Sequence, residues 1–229
     1  MANKIKMVVF DMAGTTIDEN NVVYKTVQKA INEAGFNLTL EQVLAQGAGK
    51  EKLKAIKDVL STYAGNNDEA LAKQIYQSFI SQLAEAYRKL EILPQPNATE
   101  LFAGLKKRGI LTVLNTGYDR QTAHTIIKKL GWEKGKEFDE LVTATEVHKN
   151  RPNPDMIWYA MKEFGIEDSK TVIKVGDSTI DIEEGKNAGC ALSIGITTGA
   201  HVYEQLESAQ PDYIINNLID LVPIIDSAV

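Results

Sequence analysis

The sequence predicts an α/β protein, a parallel sheet covered by helices, with a separate helical unit inserted near its start. Three observations carry that prediction. From Phe102 onward, short apolar runs alternate with helix-length segments, the pattern of strands joined by crossover helices. Between Asp18 and Leu93 the alternation stops, and apolar residues recur at helical spacing. Ahead of that stretch stands one isolated strand-like run, Met7-Val8-Val9-Phe10, which must join the later strands to bury both its faces.

The first strand ends on Asp11. In the insertion, Val23, Val27, Ile31 and Ala34 mark a helix that Gly35 ends, and further helices are predicted over Leu40 to Leu44, about Lys52 to Tyr63, and Leu71 to Arg88. Gly47-Ala48-Gly49 and Gly65-Asn66-Asn67 separate them. Leu93-Pro94-Gln95-Pro96-Asn97 reads as a stiff hinge back to the sheet. Strands are then expected at Leu111 to Leu114, Leu141 to Thr143, Val172 to Val175, Ala191 to Ile194 and Tyr213 to Ile215. Helices are expected at Thr99 to Lys107, Gln121 to Leu130, Pro154 to Phe164, Ile182 to Ala188 and Leu218 to Ile225, several with a glycine beyond them: Gly131, Gly165, Gly189. Residues 1–17 and 94–229 thus form one unit and 18–93 a second. An insertion placed directly after the first strand hangs over the strand ends, where it can act as a lid.

With 229 residues, 44% hydrophobic, the chain can bury a real core. Its net charge of −6 argues against a surface for nucleic acid. The single cysteine, Cys190, has no intramolecular partner and reads as a small buried hydrophobe on a strand. The apolar run behind Lys4 and Lys6 stops at Asp11, too short for a targeting segment, and no uncharged apolar stretch is long enough for a membrane span. A cytoplasmic protein without membrane contact is expected.

Two strand ends bear carboxylates: Asp11 opens Asp11-Met12-Ala13-Gly14-Thr15-Thr16, and Asp177 and Asp181 lie in Gly176-Asp177-Ser178-Thr179-Ile180-Asp181. Carboxylates there sit where open α/β sheets bind ligands, and suit a magnesium ion shared with a phosphoryl group. Asp11 is the nucleophile candidate, since a carboxylate can attack phosphorus and form an aspartyl-phosphate; the plainer alternative is an Asp that caps a turn. Gly14 lets the backbone approach a phosphate, while the Thr15 and Thr16 hydroxyls and the loop N–H groups donate to its oxygens. Asp177 reads as a metal ligand and Asp181 as its support, or as the N-cap of a helix beginning at Ile182. Thr116, followed by Gly117 at the end of another run, is a phosphate-binding position, with Asn115 the alternative one residue earlier. Arg151, beside prolines before a helix start, aims a cation at the same centre, unless it is a solvated surface charge. His124, His148 and His201 lack metal-ligand spacing and read as structural or surface residues.

The Asp11 loop, Thr116, Arg151 and the Asp177/Asp181 pair, in that order, resemble the haloacid-dehalogenase-like superfamily of phosphotransferases. The resemblance implies a doubly wound core with a helical cap after the first strand and an aspartyl-phosphate mechanism. It also implies magnesium held by Asp11, the Ala13 main-chain carbonyl and Asp177. Phosphatases of that family carry an acid two residues after the nucleophile; here the position is Ala13, so the leaving group either needs no proton or takes it from elsewhere.

Ala13-Gly14-Thr15, Arg151 in place of the usual lysine, and Thr116-Gly117-Tyr118 look like the phosphonoacetaldehyde hydrolases and their phosphonatase-like relatives. In that family a cap lysine forms a Schiff base with the substrate aldehyde, and the protonated imine replaces the missing acid as electron sink. Matching Ala48-Gly49-Lys50-Glu51-Lys52 to the cap motif places that lysine at Lys52. The residues alone leave another reading, because Lys50, Lys52, Lys54 and Lys57 cluster around a helix start and such runs are usually solvated; the same crowd of cations would depress a lysine pKa or serve as an anion-binding patch. The family's pattern is broken at Ala55, where a His is expected, and at Ala48, Asn21 and Met12. The expected partner is a small phosphonate or phosphorylated substrate, and the resemblance suggests a homodimer through cap helices.

Overall fold

The computed structural model describes residues 4–227. Strand β1 (Met7–Asp11) leads through a tight turn into β2 (Ile17–Asp18), and four helices follow: α1 (Val22–Glu33), α2 (Leu40–Gly47), α3 (Lys52–Ala64) and α4 (Glu69–Lys89). After β3 (Leu93–Pro94) the chain alternates through α5 (Ala98–Lys107), β4 (Leu111–Thr116), α6 (Arg120–Leu130), β5 (Glu140–Thr143), α7 (Asp155–Glu163), β6 (Val172–Gly176), α8 (Thr179–Ala188), β7 (Leu192–Ile196), α9 (Tyr203–Ser208), β8 (Tyr213–Ile215) and α10 (Leu221–Ser227).

Six strands form one sheet in the order β5-β4-β1-β6-β7-β8, with every neighbouring pair parallel. The chain winds outward from β1 to β5, then crosses back to β6 on the other side of β1. The crevice between β1 and β6 is therefore the topological switch point, where such sheets bind ligands. The period-2 alternation of β1 explains its central place. Met7 and Val9 join Val113, Met156 and Ile157 on one face, whereas Val8 and Phe10 join Phe102, Ile126 and Ile173 on the other. Phe102 packs tilted against Phe10 at 5.5 Å and edge to face against Trp132 at 5.4 Å, so Phe102→Ala would cost about 3–5 kcal/mol.

The second apolar layer runs on into the helical unit, where Val23, Val27 and Ile31 of α1, Val59 and Leu60 of α3 and Ile75 and Phe79 of α4 are buried. Local signals fix the helix starts. Asp68 accepts from the N–H groups of Ala70 and Leu71 to open α4, and Glu51 accepts from those of Leu53 and Lys54, which makes Lys52 the first residue of α3.

Some local expectations are corrected. The hinge is not merely stiff coil: Leu93–Pro94 pairs antiparallel with Ile17–Asp18, two residues on each side, too short for a periodic signal. Helix α8 begins at Thr179, so Asp181 lies inside its first turn and is not an N-cap. Cys190 is buried but lies ahead of β7. The last segment opens as a 3-10 turn, Leu218–Asp220, before α10. Helix α9 carried no signal strong enough to be expected. Among the described residues no helix is long and apolar enough to cross a membrane.

Candidate active site

Asp11 closes β1 and is buried. The loop after it folds on the Met12 carbonyl, which accepts from the N–H groups of Thr15, Thr16 and Ile17 and leaves the Ala13 carbonyl outside those bonds. Gly14 adopts φ +84°, and a Cβ there would fall 2.3 Å from Asp177 Oδ2, so only glycine lets the two loops meet. Asp177 follows β6 directly; its Oδ2 accepts from the Ala200 N–H at 2.6 Å and its Oδ1 from the Thr15 hydroxyl at 3.4 Å. The Thr16 hydroxyl donates to the Asp11 carbonyl at 3.0 Å. Both threonine hydroxyls thus hold the loop together.

Arg151 is fully buried and reaches four partners. Its Nη1 donates to Asp11 Oδ1 at 2.6 Å and lies 2.9 Å from Asp181 Oδ1. Its Nε donates to Glu184 Oε2 at 3.0 Å, and its Nη2 to the Asn115 carbonyl at 2.9 Å. It is no solvated charge. Asp181 bridges Arg151 and Lys174, whose ammonium lies 3.0 Å away, and accepts from the Ser178 hydroxyl. Lys174 also donates to Asn115 Oδ1 at 2.7 Å and sits 3.2 Å from Glu184. Thr116 ends β4 beside this group, and its hydroxyl oxygen accepts from the Tyr118 N–H at 3.2 Å.

Electrostatics divide the carboxylates. Burial raises the pKa of Asp11, with Asp181 adding to the rise and Arg151 opposing it. Burial raises Asp177 well above the usual carboxylate range, and the neighbouring charges of Asp11 and Asp181 push the same way. Asp181 is held low: burial works against its charge, but Arg151 and Lys174 outweigh it. Asp11 raises the pKa of Asp177 and Asp181 raises both, which marks a place short of positive charge. With oxygen ligands from Asp11, Asp177 and the free Ala13 carbonyl, the donor set fits a hard divalent cation.

The helical unit closes over this centre. A Cβ on Gly49, at φ +73°, would meet Ser178 Oγ at 2.3 Å, and one on Gly117 would meet the Lys50 carbonyl at 2.9 Å. Gly117 therefore lets the cap loop seat against the end of β4. Lys52 is 6% exposed, its Nζ donating to the Lys50 carbonyl at 2.6 Å and lying 5.4 and 5.5 Å from the ring centres of Tyr24 and Tyr118. Burial lowers its pKa while Asp11 works in the opposite direction. The neighbouring lysines do not supply that shift as the sequence suggested: Lys50 and Lys54 pair with Asp58 and Lys57 with Glu69. Ala55, one turn along α3, is buried and carries no proton donor.

Sequence reasoning missed Lys174, Glu184, Glu19, Tyr24 and Tyr87. Lys174 had a signal, a charge in the middle of a buried strand; Glu184 stands three residues after Asp181 on one helix face. Glu19 and the tyrosines had none. His201 proves structural: its Nδ1 accepts from the Thr179 N–H at 3.1 Å.

The family described as haloacid dehalogenase-like hydrolase matches residues 8–194. A phosphonoacetaldehyde hydrolase from Parabacteroides distasonis is 33% identical over 86% of this chain and 78% of its own length. A putative pyrophosphatase from Caldanaerobacter subterraneus is 28% identical over 97% of this chain and 95% of its own. The solved structure of a phosphonoacetaldehyde hydrolase-like protein from Oleispira antarctica superposes with a TM-score of 0.84 at 24% identity, covering 99% of this chain and 93% of that one, a likeness of fold.

Proposed function

The chain belongs to the haloacid dehalogenase-like hydrolases, in their phosphonatase-like branch, and we propose that it hydrolyses the carbon–phosphorus bond of a small carbonyl phosphonate such as phosphonoacetaldehyde or a related 2-oxoalkylphosphonate. One observation carries the reading: the Lys52 amine is buried between two tyrosine rings over the Asp11 centre, with its pKa lowered by burial. A neutral amine in a dry site is a nucleophile for a carbonyl carbon.

Lys52 condenses with the carbonyl, releasing water and leaving a protonated imine. Asp11 attacks phosphorus through Oδ2, since Arg151 occupies Oδ1 and holds the carboxylate in position. As the carbon–phosphorus bond breaks, its electron pair moves toward the imine nitrogen and forms an enamine. No acid is needed to protonate the departing carbon, which accounts for Ala13. Water then cleaves the aspartyl-phosphate, the enamine takes a proton from water on its carbon to return to the protonated imine, and hydrolysis of that imine releases the carbonyl product and frees Lys52. Asp11, Asp177 and the Ala13 carbonyl would hold a magnesium ion, which when bound offsets the repulsion between the Asp11 carboxylate and the anionic phosphoryl group.

A second reading has its own support, in the similarity to a putative pyrophosphatase and the absence of a proton-bearing group at Ala55. In it the protein is a phosphatase of small phosphate esters or acyl phosphates, and Lys52 only holds an anion. Borohydride added during turnover of phosphonoacetaldehyde separates the two. The phosphonate reading expects a reduced adduct at Lys52 by peptide mass; turnover of the carbonyl phosphonate without any adduct would refute it.

A further inference from the structure

Resting on the carbonyl reading of Lys52, we infer that Glu19 is the positioning residue that handles the proton of this lysine, acting through the hydroxyls of Tyr87 and Tyr118. Glu19 follows β2 in the hinge and is 3% exposed. Its Oε2 accepts from the Tyr87 hydroxyl at 3.0 Å and from the Val23 N–H at 3.1 Å. The Tyr87 hydroxyl in turn lies 2.7 Å from that of Tyr118, whose ring flanks the Lys52 ammonium. The chain of groups thus runs from the hinge, through α4 of the cap, to the loop after β4 and the lysine.

An ionised carboxylate only accepts, so it fixes the sense of the whole chain: Tyr87 donates to Glu19 and Tyr118 donates to Tyr87. The electron-rich end then points toward Lys52. Ala55 supplies no such group, and among the described residues the one hydrogen bond of Lys52 goes to a main-chain carbonyl. The charges facing Glu19 are Lys52 and the adjacent Asp18; those facing Lys52 are Asp11 and Arg151 from the core, Glu51 from its own helix start, and Glu19. Burial lifts the Glu19 carboxyl to about 7, against the donations of Tyr87 and Val23 and the pull of Lys52. It therefore exchanges a proton near neutrality.

The balance closes without another reactant. With its Nζ turned from the Lys50 carbonyl to the Tyr118 hydroxyl, the Lys52 ammonium gives a proton to Tyr118. Tyr118 gives its own to Tyr87 and Tyr87 gives its own to the Glu19 carboxylate, and the free amine adds to the carbonyl carbon. The resulting carbinolamine hydroxyl takes the proton back and departs as water, leaving the protonated imine.

The test follows adduct formation with phosphonoacetaldehyde and borohydride across pH, together with acetic anhydride labelling of Lys52, which reads the free amine without substrate. Glu19→Gln is expected to slow adduct formation about 100-fold, the scale of a lost acid–base group. It should also move the labelling midpoint of Lys52 down by about one pH unit, because a facing negative charge is gone. Tyr87→Phe, which keeps the charge and breaks the relay, should slow the adduct while leaving the midpoint near its native value, and carries the test if the Glu19 variant does not fold. Glu19→Asp, restoring a carboxylate, should return the midpoint. A native protein that turns over the phosphonate with no adduct overturns the carbonyl reading and this inference with it; a native adduct with native rates in both variants overturns the inference alone.

Discussion

The two halves of the site bury charge in opposite ways. On the core side every cation meets carboxylates at hydrogen-bond distance: Arg151 has Asp11, Asp181 and Glu184, and Lys174 has Asp181 and Glu184. On the cap side Lys52 meets aromatic faces and a main-chain carbonyl, and no carboxylate pairs with it among the described residues. Full pairing locks a charge in its ionised state, which is what holding a phosphoryl group demands. Incomplete pairing in a dry setting weakens the charged state, and a lysine that must act as a free amine requires that.

The largest expected effects break one half at a time. Asp11→Asn should abolish phosphate release, by at least about 10⁴-fold, the scale on which covalent nucleophiles fall, with the circular dichroism unchanged. Lys52→Met should lower kcat for the carbonyl phosphonate by roughly 10³-fold, equivalent to about 4 kcal/mol of barrier. Lys52→Arg keeps a cation but no attacking amine, and should be no better. A rise in KM with kcat intact for Lys52→Met, with Lys52→Arg close to native, would instead mark Lys52 as an anion holder.

The same contrast decides what could be read in the sequence. Asp11 and Asp177 were legible because strand ends are visible as the limits of apolar runs, and the sheet brings those limits to one edge. The parallel sheet was legible for the same reason. Arg151 was legible from the prolines beside it at a helix start. Lys174 and Glu184 escaped because their partners come from four separate segments; a charge within a buried strand marks Lys174, but nothing local names those partners. The cap side was harder still. Lys52 was found through its motif and not its surroundings, and Glu19, Tyr24 and Tyr87 are joined to it only by the closure of α1, α3 and α4 over β4.

Core pairing makes a smaller but measurable prediction. Lys174→Met leaves Asp181 and Glu184 with one cation fewer in a region without solvent, and breaking a buried pair by removing one partner costs about 3–5 kcal/mol. Urea unfolding should show that loss. Adding Glu184→Gln to the same chain should cost less than the sum of the two single changes, because the second removes the charge that the first orphaned. Simple additivity would mean that the two side chains are not coupled as their 3.2 Å separation implies.

The smallest effect has opposite signs in the two halves. Glu19 ionises at about 7 in the folded chain, raised by burial from 4.5. Below pH 4.5 both folded and unfolded chains carry the proton and its contribution is complete. Between 4.5 and 7 only the folded chain retains it, so stability falls as pH rises, by about 3 kcal/mol in all, and the contribution is lost above 7. Asp181, held below its ordinary value by Arg151 and Lys174 against burial, does the reverse: its contribution is present above the unfolded pKa and disappears on acidification through the folded one. Urea midpoints at pH 5 and pH 8 for the native chain and for Glu19→Gln isolate the first of these, since the Asp181 contribution is common to both chains. The native chain should lose more stability than the variant between those two values. An equal loss in both would place the Glu19 carboxyl in contact with water and remove it from the buried chain of hydroxyls.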